Sequence, residues 1–119
     1  MTAPHRDDED RADALFHALA DRTRRDIMRR VLAGEHSVSA LAASYDMSFA
    51  AVQKHVAVLE KAGMITKRRV GREALASGDV EAVRSVASML GEIEDVWRGR
   101  IARMDELLAE PTPPIHEEN

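Results

Sequence analysis

The side chains best suited to acid–base chemistry in this sequence are scattered and belong to no catalytic motif. His17, Asp21, Asp26 and His55 could each donate or accept a proton. The sequence nevertheless shows no nucleophile motif, no glycine loop of the phosphate-cradling kind and no paired metal ligands. The acidic run DDED at residues 7–10 has the character of a solvated, flexible segment rather than of a metal site. We therefore expect that the protein is not an enzyme.

Composition excludes several other classes of protein. The chain of 119 residues has no cysteine, so disulfides and thiolate sites for metals or redox chemistry cannot form. No apolar run approaches membrane-spanning length, and the N-terminal residues lack the basic and apolar regions of a signal peptide. We expect a single small domain in the cytoplasm, with no cofactor and no membrane contact.

Charge is distributed unevenly along the chain. The net charge is −4, yet residues 22–72 hold eleven basic and four acidic side chains, a local net charge of +7, and both flanking segments are acidic. Nucleic-acid binding depends on the field where the phosphates lie, so the central block favours such a partner despite the overall charge. An excess of arginine on ordinary solvated helix faces would give the same count, and charge alone leaves both interpretations open.

Hydrophobic periodicity predicts two helices in the first third of the chain. The first presents an apolar face at spacings of three and four residues, namely Ala12, Leu15, Phe16 and Leu19. The second follows Asp21 and presents Ile27, Met28, Val31 and Leu32. We expect Gly34 to end the second helix in a left-handed conformation.

A helix-turn-helix arrangement is predicted next. Ser37 or Ser39 would cap a short third helix, and a tight turn at residues 45–47 separates it from a fourth helix at about residues 49–62. Ser48 is placed to cap this fourth helix and Gly63 to end it. A short helix, a three-residue turn and a longer helix form the layout of a helix-turn-helix motif.

The period changes after Gly63. MITKRRV and REALAS flank Val70 and Gly71, which predicts a β-hairpin with Gly71 at positive φ, and the second arm is poor enough in β-formers that we expect it to be short or frayed. Asp79 would then cap a long helix ending near residue 110. Its apolar residues are spaced three or four apart, nearly a heptad seam: Val83, Val86, Leu90, Ile93, Trp97, Ile101, Met104 and Leu108.

The fourth helix has two faces on a helical wheel. Val52, Val56 and Leu59 share a core face, whereas small and polar residues lie opposite, namely Ala50, Gln53, Lys54, Ala57 and Lys61. Small residues allow close approach to a major groove, where Gln53 could pair with adenine and Lys54 with guanine or phosphate. The first turn, behind Ser48, suits a phosphate. An ordinary surface helix also carries Gln and Lys, so the wheel by itself is a weak signal.

The stretch from LFHALADRTRR to KRRVGRE resembles the ArsR/SmtB family of bacterial winged-helix repressors over about residues 14–75. Its most specific parts are ALAD-x-TRR, S-x-x-A-V-x-K-H-V-x-V-L-x-x-A-G-M-I and the basic R-x-G-R turn. The resemblance implies a homodimer, built by the first and last helices, that binds a pseudo-palindromic operator in double-stranded DNA. It also assigns DNA-binding positions on the fourth helix and the wing: Ser48, Phe49, Ala50, Gln53, Lys54, His55, Lys67, Arg68, Arg69, Gly71 and Arg72. His55 lies about 60° from the core direction, and a half-buried packing or hydrogen-bonding role is the favoured interpretation for it.

The chain departs from the metal-sensing members of that family. Ser37 and Ser39 stand where those members carry two cysteines, and hydroxyls are poor ligands for soft metals. The last helix contains no histidine, and His36 has no partner at ligand spacing. We expect no metal site, and the inducing signal stays unknown.

The seam of the last helix is longer than a core of this size can cover, so part of it should pack against another chain. Together with the first helix, the resemblance gives an expected dimer interface of Leu15, Phe16, Leu19, Ile93, Trp97, Ile101, Met104 and Leu108. The alternative, that Trp97 closes the core of its own chain, stays open.

These observations predict a mainly α fold with a small β-hairpin wing. We expect a flexible acidic segment at residues 1–10, a winged helix-turn-helix domain for DNA binding and dimerisation at 11–110, and a flexible tail at 111–119. The predicted function is that of a homodimeric transcriptional repressor of an inverted-repeat operator, with the chain's own promoter among the expected targets. The alternative is a winged-helix adaptor for protein contacts without a DNA target, against which the basic wing argues.

Overall fold

The computed structural model describes the backbone of residues 4–109 and the side chains of residues 7–109. In this range the chain is mainly helical and carries a small antiparallel sheet, as predicted. Its elements are α1 (Pro4–Leu19), α2 (Arg22–Ala33), β1 (His36–Ser37), α3 (Val38–Ala43), α4 (Phe49–Lys61), β2 (Ile65–Val70), β3 (Glu73–Gly78) and α5 (Val80–Ala109).

Side-chain caps fix where the helices begin. Asp21 accepts a hydrogen bond from the backbone N–H of Arg24 at 3.0 Å, and Ser48 accepts one from Ala51 at 3.1 Å. The third helix is capped by Ser37, which leaves Ser39, the other predicted candidate, on its exposed surface.

The end of α2 differs from the prediction. Gly34 has φ 177° and ψ 161°, an extended conformation rather than the expected left-handed one. The chain leaves the helix directly into β1, a strand that we did not predict, which pairs His36 with Ala76 and Ser37 with Leu75. Because β1 begins two residues after Gly34, the extended conformation of Gly34 leads directly into the strand, and a left-handed turn is not needed.

The hairpin is present, but its second arm is not frayed. Gly71 has φ 63° in the turn, and the two strands pair from Ile65 opposite Gly78 to Val70 opposite Glu73. The strand order is β1-β3-β2, so the arm expected to be weak is the central strand and is hydrogen-bonded on both sides. Ala76 is fully buried there, which shows that burial and pairing override the low β propensity of alanine.

Helix α1 begins at Pro4, within the segment at residues 1–10 that we predicted to be flexible. Proline is favoured in the first turn of a helix, and Asp7 lies where a negative charge interacts well with the helix dipole. Residues 1–3 and the predicted tail at 111–119 lie outside the described residues.

Two compact units make up the chain, residues 1–86 and residues 87–119. The first contains the hydrophobic core, built mainly from Leu15, Ile27, Leu41, Val52, Val56, Leu59, Met64 and Ile65. The described part of the second is the remainder of α5, where several large apolar side chains are exposed. No helix among the described residues is long and apolar enough to cross a membrane.

Candidate nucleic-acid interface

The outward face of α4 is built as the helical wheel predicts. Val52, Val56 and Leu59 are completely buried, so they fix the rotation of the helix against the core. The opposite side is exposed and consists of small, amide and cationic side chains, namely Ala50, Gln53, Lys54, Ala57 and Lys61. This face is shallow enough for another surface to approach the helix backbone, and it offers one amide and two cations as hydrogen-bond donors.

The turn before α4 is tied to α2 by a polar cluster. The hydroxyl of Tyr45 donates a hydrogen bond to Asp26 at 2.6 Å, and Arg30 donates to the same carboxylate oxygen at 3.0 Å. The Arg30 guanidinium also lies 5.2 Å from the centre of the Tyr45 ring. Partial burial and the neighbouring carboxylate raise the pKa of Tyr45 to about 12. The bond from Tyr45, followed by that from Arg30, lowers the pKa of Asp26.

His55 faces the junction of α1 and α2. Its Nδ1 lies 3.4 Å from the Arg24 guanidinium and 4.0 Å from Asp21, and 22% of its side chain is exposed. This position matches the half-buried, hydrogen-bonding interpretation of the sequence. Its side chain is thus less exposed than those of Gln53 and Lys54, with which the family resemblance groups it as a DNA-binding residue.

The residues of the ALADRTRR motif close the end of α1. Arg24 donates to the carbonyl of Ala18 at 2.7 Å and to that of His17 at 2.9 Å, and Arg25 donates to Leu19 at 2.8 Å. Cations at a helix C-terminus satisfy carbonyls that have no partner within the helix. This role was not predicted, although paired arginines shortly after a helix end are a signal for it.

The basic residues of the wing fall into two classes. Lys67 lies 3.2 Å from Glu60 of α4, and Arg68 forms an ion pair with Glu35. Arg69 and Arg72, beside the turn at Gly71, are exposed, and no carboxylate among the described residues lies within 4.0 Å of either. The tip therefore carries the more available cations, whereas the strand carries cations that are already paired.

His36 and Ser37, in the segment where metal-sensing members of the family carry cysteines, make local hydrogen bonds in this chain. Ser37 caps α3 through a bond from Ala40 at 3.0 Å, and the Nδ1 of His36 lies 2.8 Å from the carbonyl oxygen of Gly34. Among the described residues, no group of three or more His, Cys, Asp or Glu side chains could hold a metal ion.

The residues expected at a dimer interface differ in exposure. In the first unit Phe16 is exposed and Leu19 half-buried, whereas Leu15 is only 1% exposed and packs inside the core of its own chain. In the second unit Ile101 is half-buried, and four members are exposed: Ile93, Trp97, Met104 and Leu108. Leu15 therefore offers almost no surface to a second chain in this arrangement.

Comparison with known proteins agrees with this geometry. The helix-turn-helix domain family matches residues 19–68. The chain is 40% identical over 67 residues to YuzN of Bacillus subtilis strain 168, an uncharacterised HTH-type transcriptional regulator. That match covers 50% of this chain and 73% of YuzN.

Solved structures with the same fold include an ArsR family regulator and a winged helix-turn-helix DNA-binding domain. An ArsR family transcriptional regulator, RHA00566, superposes with a TM-score of 0.71 at 32% identity, covering 76% of this chain and 93% of that one. The winged helix-turn-helix DNA-binding domain of Mb0332 from Mycobacterium bovis superposes with a TM-score of 0.63, covering 87% of this chain and 93% of the fragment. It is described as homodimeric and, at 20% identity, shows a shared fold only.

Proposed function

This chain belongs to the ArsR family of winged helix-turn-helix transcriptional regulators, which bind DNA and are not enzymes, and we propose that it is a homodimeric repressor of an inverted-repeat operator. The observation that carries this proposal is the pair of faces on α4. One side packs into the core through Val52, Val56 and Leu59, and the other presents small and cationic residues to solvent.

The outward face of α4 is suited to a major groove. Gln53 supplies a donor and an acceptor that match the edge of adenine, and Lys54 can reach guanine or a phosphate. Ala50 and Ala57 leave room for the helix to lie deep in the groove. The cap residue Ser48 opens the helix toward a phosphate, because N–H groups and the positive end of the helix dipole lie there.

The wing supplies the second contact. Arg69 and Arg72 at its tip would bind phosphates or enter the adjacent minor groove, where Gly71 allows close approach. Lys67 and Arg68 would add to this field from the strand. Together with Lys54 and Lys61 of α4, the four wing cations make up six of the eleven basic residues of the central block, and the other five lie on α2.

A second copy of the chain is the proposed partner of the exposed apolar residues of α5. Trp97 and Ile93 are more than half exposed, and Met104 and Leu108 continue the same stripe. Exposed apolar stripes of this length are typical of interfaces. Two dyad-related copies of α4 would then lie about one turn of DNA apart, roughly 34 Å, which requires an inverted repeat.

A mobility-shift assay with the DNA upstream of the chain's own gene tests both the operator and autoregulation. Replacing Gln53 by Ala should relax base preference at one position, at a cost of about 1–3 kcal/mol. Replacing Lys54 by Ala should weaken binding to all sequences and reduce the slope of log affinity against log salt by about 1 per site. Arg84→Ala, on α5, is the control for the loss of one cation. Unchanged binding by the double variant at positions 53 and 54 would refute the assignment of α4.

A reporter gene behind that DNA should be expressed more strongly when the protein is absent, and lower expression would refute the repressor role.

Sedimentation tests the homodimer. The wild-type chain should sediment as two copies, and Trp97→Asp should give a single copy, because a charge would be buried in an apolar interface. Ala102→Asp introduces the same charge about 140° away around the helix and should leave the dimer intact. A two-copy species that persists in Trp97→Asp would show that the interface lies elsewhere.

A further inference from the structure

Phe49 is a large apolar side chain that lies on the surface of the protein. It is one of only two phenylalanines in the chain, and the core has few aromatic residues to fill it. Nevertheless Phe49 is 49% exposed, whereas Val52, three residues later on the same helix, is completely buried. Single exposed apolar side chains are common, but burial of this ring against an apolar group would be favourable, so Phe49 offers an apolar contact on this face of α4.

The position of Phe49 on α4 narrows the nature of the partner in that contact. It is the first residue of the helix, directly after the cap residue Ser48. Gln53 lies one turn further on, and residues four apart are neighbours on a helix surface. Phe49 therefore lies beside the amide that the proposed function assigns to base recognition. The N-terminal residues of a recognition helix are those that meet base edges in the major groove.

The major groove displays one apolar group, the C5-methyl of thymine. Phosphates and the other base edges there offer mainly polar atoms, to which a phenyl ring cannot hydrogen-bond. The exposed neighbour Ala50 is small enough to let the ring approach the floor of the groove.

We propose that Phe49 reads the C5-methyl group of a thymine in each half-site, within one or two base pairs of the base read by Gln53. This inference rests on the proposed function, because it requires that α4 enters the major groove. It adds a base identity, thymine, and a residue that discriminates by apolar contact rather than by a hydrogen bond.

The test removes only the methyl group. Wild-type protein first selects a duplex from a random-sequence library, and each thymine of that duplex is then replaced by deoxyuridine. One position per half-site should lose about fourfold in affinity, the effect of one buried methyl group, and replacement in both half-sites should cost about fifteenfold.

Variants then assign that loss to the ring. Phe49→Ala should bind the thymine and deoxyuridine duplexes equally well, and Phe49→Leu should keep part of the discrimination because it keeps an apolar contact. Val80→Ala is the matched control, since it truncates another exposed apolar residue, at the start of α5 and outside the proposed DNA-binding set, and should keep the full discrimination. Circular dichroism should show all three variants folded, as expected for exposed positions.

The possible failures are distinguishable. If the wild-type protein selects no duplex, the proposed function falls and the inference falls with it. If it selects DNA but Phe49→Ala discriminates thymine from deoxyuridine as the wild type does, only the assignment of Phe49 is overturned. If Phe49→Ala instead converts the two-copy species to one copy, Phe49 belongs to a protein interface and the inference is equally overturned.

Discussion

Arg68 of β2 and Glu35, the residue before β1, form a bidentate ion pair. The Nε and one terminal nitrogen of Arg68 donate to the two carboxylate oxygens of Glu35 at 2.9 and 2.8 Å. These bonds lower the pKa of Glu35, so the carboxylate stays ionised at neutral pH and offsets the positive charge of Arg68. An arginine held in this way is a weaker ligand for DNA than a free one.

Replacing Glu35 by Gln should therefore tighten DNA binding. Exposed ion pairs contribute little to stability, whereas six residue pairs of the β-ladder fix the hairpin, so the wing should keep its position. Released from the carboxylate, Arg68 would bind phosphate, and the slope of log affinity against log salt should steepen by about 1 per site. Affinity measured across a salt series checks both effects.

The control for this prediction changes the net charge equally. Glu81→Gln breaks an ion pair with Arg84 at 2.6 Å, outside the proposed DNA-binding set, and should alter affinity less. Weaker binding by the Glu35 variant would mean that the ion pair positions the wing and that freeing Arg68 brings no contact.

Tyr45 should titrate well above an ordinary tyrosine. It is the only tyrosine in the chain, so the absorbance of its phenolate reports one group directly. Because partial burial and Asp26 raise its pKa to about 12, folding favours the neutral phenol. The resulting stability is fully present below the unfolded pKa of about 10 and is lost as the pH rises through 12.

Asp26→Asn separates the two causes of that shift. Burial is the larger cause and persists in the variant, so the pKa of Tyr45 should fall only part of the way toward 10. A pKa of Tyr45 that is the same in Asp26→Asn as in the wild type would contradict a contribution from the hydrogen bond to Asp26.

Local signals in the sequence were sufficient for the helix-turn-helix and the hairpin. Ser48 and Gly63 mark both ends of α4, and the alternation of Val52, Val56 and Leu59 with polar residues fixes its orientation. These signals act within a few residues, so they can be interpreted without knowledge of the tertiary structure. The same holds for Gly71, whose positive φ is required by the turn.

Features that depend on distant residues could not be predicted in this way. The strand β1 has two residues and no period of its own, and it exists because β3 offers a free edge. Likewise the position of His55 is set by Arg24, 31 residues earlier, and the pairing of Arg68 by Glu35, 33 residues earlier. Sequence spacing contains no record of such contacts.

Arg24→Ala should destabilise the fold. The side chain donates to two carbonyls at the end of α1, and hydrogen bonds from charged groups contribute about 1.5–3 kcal/mol each in favourable cases. Since one of these bonds is partly buried and the other is exposed, we expect a loss of about 2–3 kcal/mol in the free energy of unfolding. Denaturant unfolding followed by circular dichroism, at one protomer concentration, measures it.

Arg29→Ala is the matched control on the same helix. Arg29 is exposed and has only a loose ion pair with Asp26, at 3.8 Å, so its loss should change stability by less than about 0.5 kcal/mol. Equal effects of the two variants would show that the capping of α1 by Arg24 contributes little.

Gly78→Ala should be destabilising for a steric reason. A Cβ at residue 78 would lie 2.7 Å from a side-chain carbon of Leu32 and 3.2 Å from its backbone nitrogen. The Leu32 side chain could rotate, but its backbone can retreat only if α2 moves away from β3, so we expect a cost of about 1–3 kcal/mol in the free energy of unfolding, measured with denaturant.

Gly34→Ala is the control, because its Cβ meets nothing within 4 Å and its backbone is extended. That change should be neutral or stabilise by up to about 1 kcal/mol through the unfolded state. Adding Leu32→Ala to Gly78→Ala should recover part of the loss, and a purely additive double variant would place the strain elsewhere.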